Sequence, residues 1–374
     1  MKSIAIVAHQ AFALINFRGS LISRLVNSGH QVFALAPDFS NSQLVTLKNL
    51  GANPISYRLS RVGSNPFEDI RDTLSLAFLL RKLNPDIFFG FAIKPVIFGT
   101  IAAWMARVPY RVAMIEGLGH LFTNDNKKSS IKKSFLLGIA TWLYRVSLSK
   151  ADTVIFLNKD DIAYFKSRKL IDATKVFNLD GIGIDLHAWE MTAPVLNPIT
   201  FIMVARLLKE KGVMEYIAAV KQLRDEGLSA RFLLLGDVDH NPSSIPRSVI
   251  TECVESNGIE WLGHVDVKAW IQQSSVFVLP SYREGVPRSS LEAMSMGRPV
   301  ITTDVPGCRE TVIDGVNGYL IPPFDASSLS NAMKCFIHDP HLIESMGAQS
   351  RSIVERRFDV INKDNLLMQL LQLA

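Results

Sequence analysis

Pro280-Ser281-Tyr282-Arg283-Glu284-Gly285-Val286-Pro287-Arg288-Ser289-Ser290-Leu291-Glu292-Ala293-Met294 follows the apolar run Val276–Leu279 and leads into a segment of helical spacing. A strand, a turn and a helix in that order form the repeating unit of a parallel α/β sheet. Gly285 permits a tight turn, and Pro287 has the fixed φ suited to a helix start. The backbone N–H groups of Arg288, Ser289 and Ser290 then point out of a helix N-terminus, where phosphate binds well. Glu284 on the loop and Glu292 inside the helix bracket the turn. Carboxylates beside a phosphate site repel it unless they serve other atoms, so their natural partners are hydroxyls, as in sugars and ribose. The plainer alternative makes Glu292 a partner of the helix dipole and Glu284 a solvated loop charge. Placement directly after a buried strand favours the functional reading.

Outward from this stretch the same rhythm recurs. Short apolar runs at 4–8, 32–36, 87–91, 112–115 and 154–157 alternate with helix-length amphipathic segments. The alternation restarts at 201–205, 232–235, 261–263, 276–279, 300–303 and 319–321. Two parallel sheets are expected, one per half. Between them, residues 191–198 contain Pro194 and Pro198, which oppose both helix and central strand, and the domain boundary is placed there. From 359 onward, Ile361, Leu366, Leu367, Leu370 and Leu371 have helical spacing, which predicts a terminal amphipathic helix that docks on another surface.

A chain of 374 residues exceeds one ordinary core, so two domains agree with its length. Hydrophobic residues at 48% and charged residues at 20% indicate a folded protein. The net charge of +5 suits phosphate esters or an acidic lipid surface. Neither zinc-finger spacing nor a basic tail points to nucleic acid. Cys253, Cys308 and Cys335 are odd in number and far apart, which indicates neither a disulfide framework nor a zinc site and fits a reducing cytosol. After Met1-Lys2 the apolar run is interrupted by His9, Gln10 and Asn16, which reads as a buried strand and not a signal peptide. No stretch reaches the roughly eighteen apolar residues of a membrane span, the best candidates being 95–106 and 134–144.

Arg206 and Lys211 close the first strand of the second half, at the sheet edge where parallel sheets bind ligands. With the helix end above, they supply positive charge for a pyrophosphate leaving group. Asp237 and Asp239 stand one residue apart, but without further ligands they read as a solvated turn and not as a metal site.

Arg206 with Lys211, Glu284-Gly285 and Glu292-Ala293 resemble the signature arrangement of glycosyltransferase family 4, and Gly236, Gly263, the run 278–281 and 297–301 extend the likeness over nearly the whole chain. The pattern departs from the family at Pro287 and Arg288. The resemblance implies the retaining, metal-independent GT-B architecture: two Rossmann-like α/β domains facing a cleft, with the C-terminal helix crossing back. Residues 1–190 would then bind the acceptor, 191–356 the nucleotide sugar, and 357–374 would dock on the first domain. Arg206 and Lys211 would hold the donor diphosphate, Glu292 the ribose and Glu284 a hydroxyl of the transferred sugar, with Gly236, Gly285, Arg288 and Ser289 completing the donor site. The likeness is strongest to bacterial hexosamine transferases, especially N-acetylgalactosaminyltransferases that extend undecaprenyl-pyrophosphate-linked saccharides for surface polysaccharide or glycoprotein. A uridine-diphosphate sugar is the implied donor. Alternatives are a GT-B nucleotide-sugar epimerase, which needs a different acid/base set, and a non-catalytic sugar-nucleotide-binding subunit, which is expected to have lost one of the charged positions. A dehydrogenase is disfavoured because GxGxxG follows neither 4–8 nor 201–205.

In the first half, Ile115-Glu116-Gly117-Leu118-Gly119-His120 follows a strand and resembles the loop of family members that build lipid-linked glycans, where Glu116 faces the acceptor hydroxyl. His120 reads either as a general base or as a structural histidine. An opening loop from Gln10 to Gly19, with Asn16, Arg18 and Gly19, is expected to approach donor phosphate or acceptor. Lys127, Lys128, Lys132 and Lys133 precede an apolar run with Trp142 and Tyr144, a composition shared by interfacial helices and by core helices with a solvated start. A lipid-linked acceptor favours the interfacial reading and a peripheral position on the cytoplasmic face of the membrane.

Overall fold

A computed structural model describes residues 1–59, 65–118, 122, 131–239, 241 and 243–373, without the side chains of 131–133. The chain divides into two compact units: Met1–Ile182 together with the segment from Ile361 onward, and Gly183–Val360.

The first unit is built on a seven-stranded sheet of β1 (Ser3–Val7), β2 (Gln31–Ala36), β3 (Asn53–Ser56), β4 (Ile87–Phe91), β5 (Tyr110–Ile115), β6 (Thr153–Phe156) and β7 (Val176–Asn178). Its order is β3-β2-β1-β4-β5-β6-β7 and every pairing is parallel. The second unit has a six-stranded parallel sheet of β8 (Thr200–Val204), β9 (Arg231–Leu235), β10 (Glu260–Gly263), β11 (Val276–Leu279), β12 (Val300–Thr303) and β13 (Gly318–Ile321), ordered β10-β9-β8-β11-β12-β13. The expected pair of parallel α/β sheets is present. Central strands such as β4 and β11 are buried at every residue, as a sheet covered on both faces requires. Strand order reverses between β1 and β4 in one unit and between β8 and β11 in the other, which creates the crevices where such sheets bind ligands.

The proline-containing stretch 191–198 belongs to the second unit, where backbone hydrogen bonds from Thr192 and Val195 and the side chain of Arg298 hold it. That guanidinium is fully buried, and it donates from Nη1 to the Thr192 and Met296 carbonyls at 2.7 Å and from Nη2 to Thr192 Oγ1 at 2.8 Å. Its Nε donates to the Ile271 carbonyl at 3.2 Å. Burial draws its pKa down to about 10, so it stays charged at neutral pH with carbonyl dipoles as its partners. Arg298→Leu is expected to cost about 3–5 kcal/mol in denaturant unfolding, because it strands several buried carbonyls together. Arg298→Lys should recover only part, since an ammonium cannot fan across the same acceptors. A loss below about 1 kcal/mol for Arg298→Leu would remove the clamp role.

The terminal helix, Val360–Leu370, buries Leu367 and leaves Ile361 and Leu366 exposed. Lys363 Nζ donates to the Leu179 carbonyl at 2.8 Å, and Tyr110 Oη donates to the Leu370 carbonyl at 3.0 Å.

Candidate active site

The richest cluster of charge lies at the carboxyl ends of β8 and β11. After β8 the chain makes a short 3₁₀ turn, Lys209–Lys211, and Gly212 (φ +73°) opens the helix Val213–Asp225. A Cβ on Gly212 would overlap the Pro280 carbonyl, so glycine lets the β8 loop lie directly against the β11 loop. The Tyr282 amide donates to the Glu210 carbonyl at 2.9 Å, and Ser281 Oγ is shared between that carbonyl (3.0 Å) and Glu284 Oε1 (2.7 Å). Held this way, Lys211 Nζ reaches Glu284 Oε1 at 2.5 Å. The Glu284 amide donates to the Pro306 carbonyl at 3.0 Å, which fixes the loop from its other side.

Gly236 acts at the neighbouring strand end. Its φ of +126° and missing side chain let the chain pass the Ala205 carbonyl, next to Arg206. Its amide donates to the Gly263 carbonyl at 2.8 Å, and its carbonyl accepts from Trp261 Nε1 at 2.8 Å. Gly236 therefore has a backbone role in shaping the edge that carries Arg206.

Helix Arg288–Ser295 starts after Pro287 with no side-chain cap. Ser290 Oγ, in its first turn, is buried without a hydrogen-bond partner among the described residues. Ser289 is half-buried beside it. Arg288 Nε donates to Glu292 Oε1 at 2.9 Å, one turn along. Burial raises the Glu292 carboxyl above its ordinary pKa, and the Arg288 guanidinium opposes that rise. Buried Cys308 lies near Ser281; desolvation first, then the negative charge of Glu284, pushes its thiol up to about 12, so it is not a thiolate nucleophile at neutral pH.

Four of the five charged positions thus resolve into pairs with one another, Lys211 with Glu284 and Arg288 with Glu292. Arg206, more than half exposed, takes Asp239 at 2.9 Å as its partner, and Asp237 faces Arg247 at 2.5 Å. Both acids of the 237–239 turn are therefore engaged by arginines. Asp239 and Ser281 were not singled out from the sequence as site residues, although Ser281 stands in the stretch that marked the site.

In the first unit, the expected loop from Gln10 to Gly19 is instead helix: Ala11–Asn27 runs through it, with Gln10 as N-cap. The run Ala11-Phe12-Ala13-Leu14-Ile15 has an apolar face that packs inward, which overrides a loop reading based on Asn16 and Gly19. Asn16 Nδ2 donates back to the Phe12 carbonyl at 3.0 Å, and Gly19 sits in the helix interior near Leu50. Arg18 is buried in this helix. Its Nη2 lies 2.5 Å from Glu116 Oε1, and its guanidinium lies 4.8 Å from the Phe91 ring centre. Glu116 follows β5 and is part-buried; desolvation raises its pKa, and Arg18 lowers it. His120, Lys127 and Lys128 lie outside the described residues, and of Lys132 and Lys133 only the helical backbone is described.

Among the described residues no helix is long and apolar enough to cross a membrane, and no cluster of three metal-type ligands is present.

Comparison with known proteins bears on both units. Residues 198–339 match the family model for glycosyl transferases group 1, and residues 16–177 match that for a glycosyl transferase 4-like domain. The chain is 30% identical to the N,N'-diacetylbacillosaminyl-diphospho-undecaprenol alpha-1,3-N-acetylgalactosaminyltransferase of Campylobacter jejuni, over 91% of this chain and 90% of that one. It is 26% identical to the UDP-Gal:alpha-D-GlcNAc-diphosphoundecaprenol alpha-1,3-galactosyltransferase of Escherichia coli, over 79% and 77% of the two chains. In fold it resembles sucrose-phosphate synthase from Thermosynechococcus elongatus, with a TM-score of 0.80 at 19% identity over 100% and 98% of the chains. Anabaena HepE in complex with UDP and glucose gives 0.76 at 17% identity over the full length of both.

Proposed function

The chain belongs to the group 1 glycosyl transferases, and from that premise we propose that it moves N-acetylgalactosamine from UDP onto a saccharide carried by undecaprenyl diphosphate, with retention of anomeric configuration. The observation that carries the reading is the Lys211–Glu284 pair at the β8/β11 switch point, beside an uncapped helix N-terminus. A cation and the N–H dipoles of a helix N-terminus suit a departing diphosphate, while carboxylates suit hydroxyls. The names of the two bacterial transferases support the lipid-linked acceptor, and the HepE complex supports a uridine nucleotide.

Lys211 and Arg206 take the diphosphate. Gly285, Arg288 and Ser289 line its loop, Gly236 shapes the strand edge, Glu292 takes the ribose and Glu284 a sugar hydroxyl. Engaging the diphosphate and ribose exchanges the carboxylate partners now seen on Arg206 and Arg288 for donor oxygens. In the transfer, the bond from the anomeric carbon to the diphosphate oxygen breaks as the acceptor oxygen bonds to that carbon on the same face. The acceptor proton passes to the leaving phosphate, so charge balances without a metal, and nothing is oxidised or reduced. Glu116 faces the acceptor hydroxyl. The lysines at 127, 128, 132 and 133 meet an anionic leaflet on the cytoplasmic face of the membrane.

The test is a donor screen with purified protein, lipid-linked acceptor and each common UDP-sugar, with and without a chelator, following UDP release and labelled lipid together. N-acetylgalactosamine entering the lipid fraction, unaffected by chelator, is the expected result; no transfer from any UDP-sugar sinks the proposal. Glu292→Ala should raise the donor KM by about thirtyfold, the scale of a lost charge-assisted contact, with Glu292→Gln in between. An unchanged donor KM removes the ribose role.

A further inference from the structure

Helices of the first unit carry apolar side chains on their outer faces. Helix Pro66–Leu83 exposes Phe67, Ile70, Leu74 and Phe78, spaced three and four residues apart along one stripe. Helix Ile131–Ser149 exposes Phe135, Leu136, Ile139 and Trp142, while its Tyr144 and Leu148 pack into a core with Ile115 and Leu118. A surface helix ordinarily turns its apolar stripe inward and its polar face out. Here both faces of each helix are apolar in part, and between the two helices, floored by Phe98, Ile101 and Met105, runs an open groove of about 810 Å³. That volume falls in the range of small-molecule sites, about 300–1,000 Å³. Contiguous exposed apolar surface of this kind marks a binding face.

The lining narrows the occupant. Its polar side chains are Asp69 and Thr73; Asp69 is neutralised by Lys94 at 2.8 Å, and the Thr73 hydroxyl donates to the Asp69 carbonyl. An extended peptide laid here would leave its amides and carbonyls without partners, at a cost that apolar contact does not offset. A bare hydrocarbon has no such groups. Helix 131–149 contains Lys132, Lys133 and Arg145 and no acidic residue, and Lys127 and Lys128 precede it in sequence, whereas the facing helix carries Glu68, Asp69 and Asp72 near its start. An apolar groove walled by a helix whose own sequence is basic matches a hydrocarbon chain joined to an anionic group.

We propose that this groove holds the first isoprenoid units of the lipid-diphosphate acceptor; the inference rests on the lipid-linked reading above and names where its tail lies. The wall helix packs on Ile115 and Leu118, which flank Glu116, so the chain site and the acceptor loop share one rigid core. Seating the tail therefore fixes the distance of the saccharide from Glu116.

The experiment compares acceptors that bear the same diphosphate-linked saccharide on a long polyprenyl tail and on a short alkyl tail, both in detergent micelles, with the full-length protein. Leu74→Ser and Ile139→Ser remove exposed apolar surface, and Ile70→Phe narrows the groove without adding polarity. Melting temperature is recorded for each. The expected result is a KM for the long-tail acceptor raised by about tenfold in all three variants, with the short-tail KM and the donor KM unaltered. Equal effects on both acceptors, or none on either, overturn the groove while leaving the lipid-linked reading standing. A defect seen only with acceptor in bilayer vesicles, and absent in micelles, also overturns it by making the face a bilayer surface. If the wild type transfers to neither acceptor, the lipid-linked reading itself fails and the inference falls with it.

Discussion

Lys211→Ala is expected to lower kcat/KM for sugar transfer by about a thousandfold, or ~4 kcal/mol of transition-state stabilisation. Lys211 is mostly buried beside Glu284, at the end of a strand where solvent screens charge poorly. Negative charge grows on the diphosphate as the glycosidic bond breaks, and a cation already in place stabilises it without reorganisation. Loss of the side chain also leaves the Glu284 carboxylate uncompensated, with the Ser281 hydroxyl still donating to it. Lys211→Ala/Glu284→Gln separates the two effects. If the double variant recovers activity to within about tenfold of wild type, Lys211 serves only to neutralise Glu284. If it stays as low as Lys211→Ala while Glu284→Gln alone keeps more activity, the cation acts on the leaving group. Steady-state UDP release at saturating acceptor reads both.

Arg18→Met should destabilise the protein by about 3 kcal/mol at neutral pH, the lower end for a broken buried pair because Glu116 keeps some access to solvent. Methionine conserves the length of the stem and its packing on Phe91, so the loss reports charge more than volume. The pH dependence gives the sign. Burial already raises the Glu116 carboxyl, and without Arg18 the rise grows. A carboxyl whose folded pKa exceeds its unfolded value binds more protons when folded, so stability is present below the ordinary carboxylate range and is lost as pH rises through the raised value. The variant should therefore lose more stability than wild type between mildly acid and mildly alkaline buffer. Arg18→Met/Glu116→Gln should flatten that slope. Urea unfolding across the pH series measures it, and parallel curves for wild type and Arg18→Met would show that the pair carries no differential charge.

Arg18 is thereby a positioning residue for Glu116. From the helix interior it holds the carboxylate, and its guanidinium is spent on that contact and on the Phe17 carbonyl at 2.8 Å. This differs from a phosphate-reaching loop arginine in what its removal changes: stability and its pH slope first, donor affinity second.

Local pattern and composition by themselves determined the division into two parallel α/β sheets, because central strands buried on both faces must be continuously apolar and leave that mark in any order of pairing. They also marked the strand end, glycine turn and helix start that are contiguous in Pro280–Met294, where the donor site is proposed. Only the tertiary structure decided the edge strands β3 and β7. Asn53-Pro54-Ile55-Ser56 and Val176–Asn178 are short and half-exposed, and they become strands because β2 and β6 present unpaired edges to them. It also decided that the chain from Ala11 through Gly19 is helix with Arg18 inside, that Arg298 binds residues 192–193 from about a hundred positions away in sequence, and that Arg206 faces Asp239 while Lys211 faces Glu284. Charge pairing depends on which loops the strand order brings to one edge. A side chain's partner is therefore a property of the topology, and no spacing within a single segment encodes it.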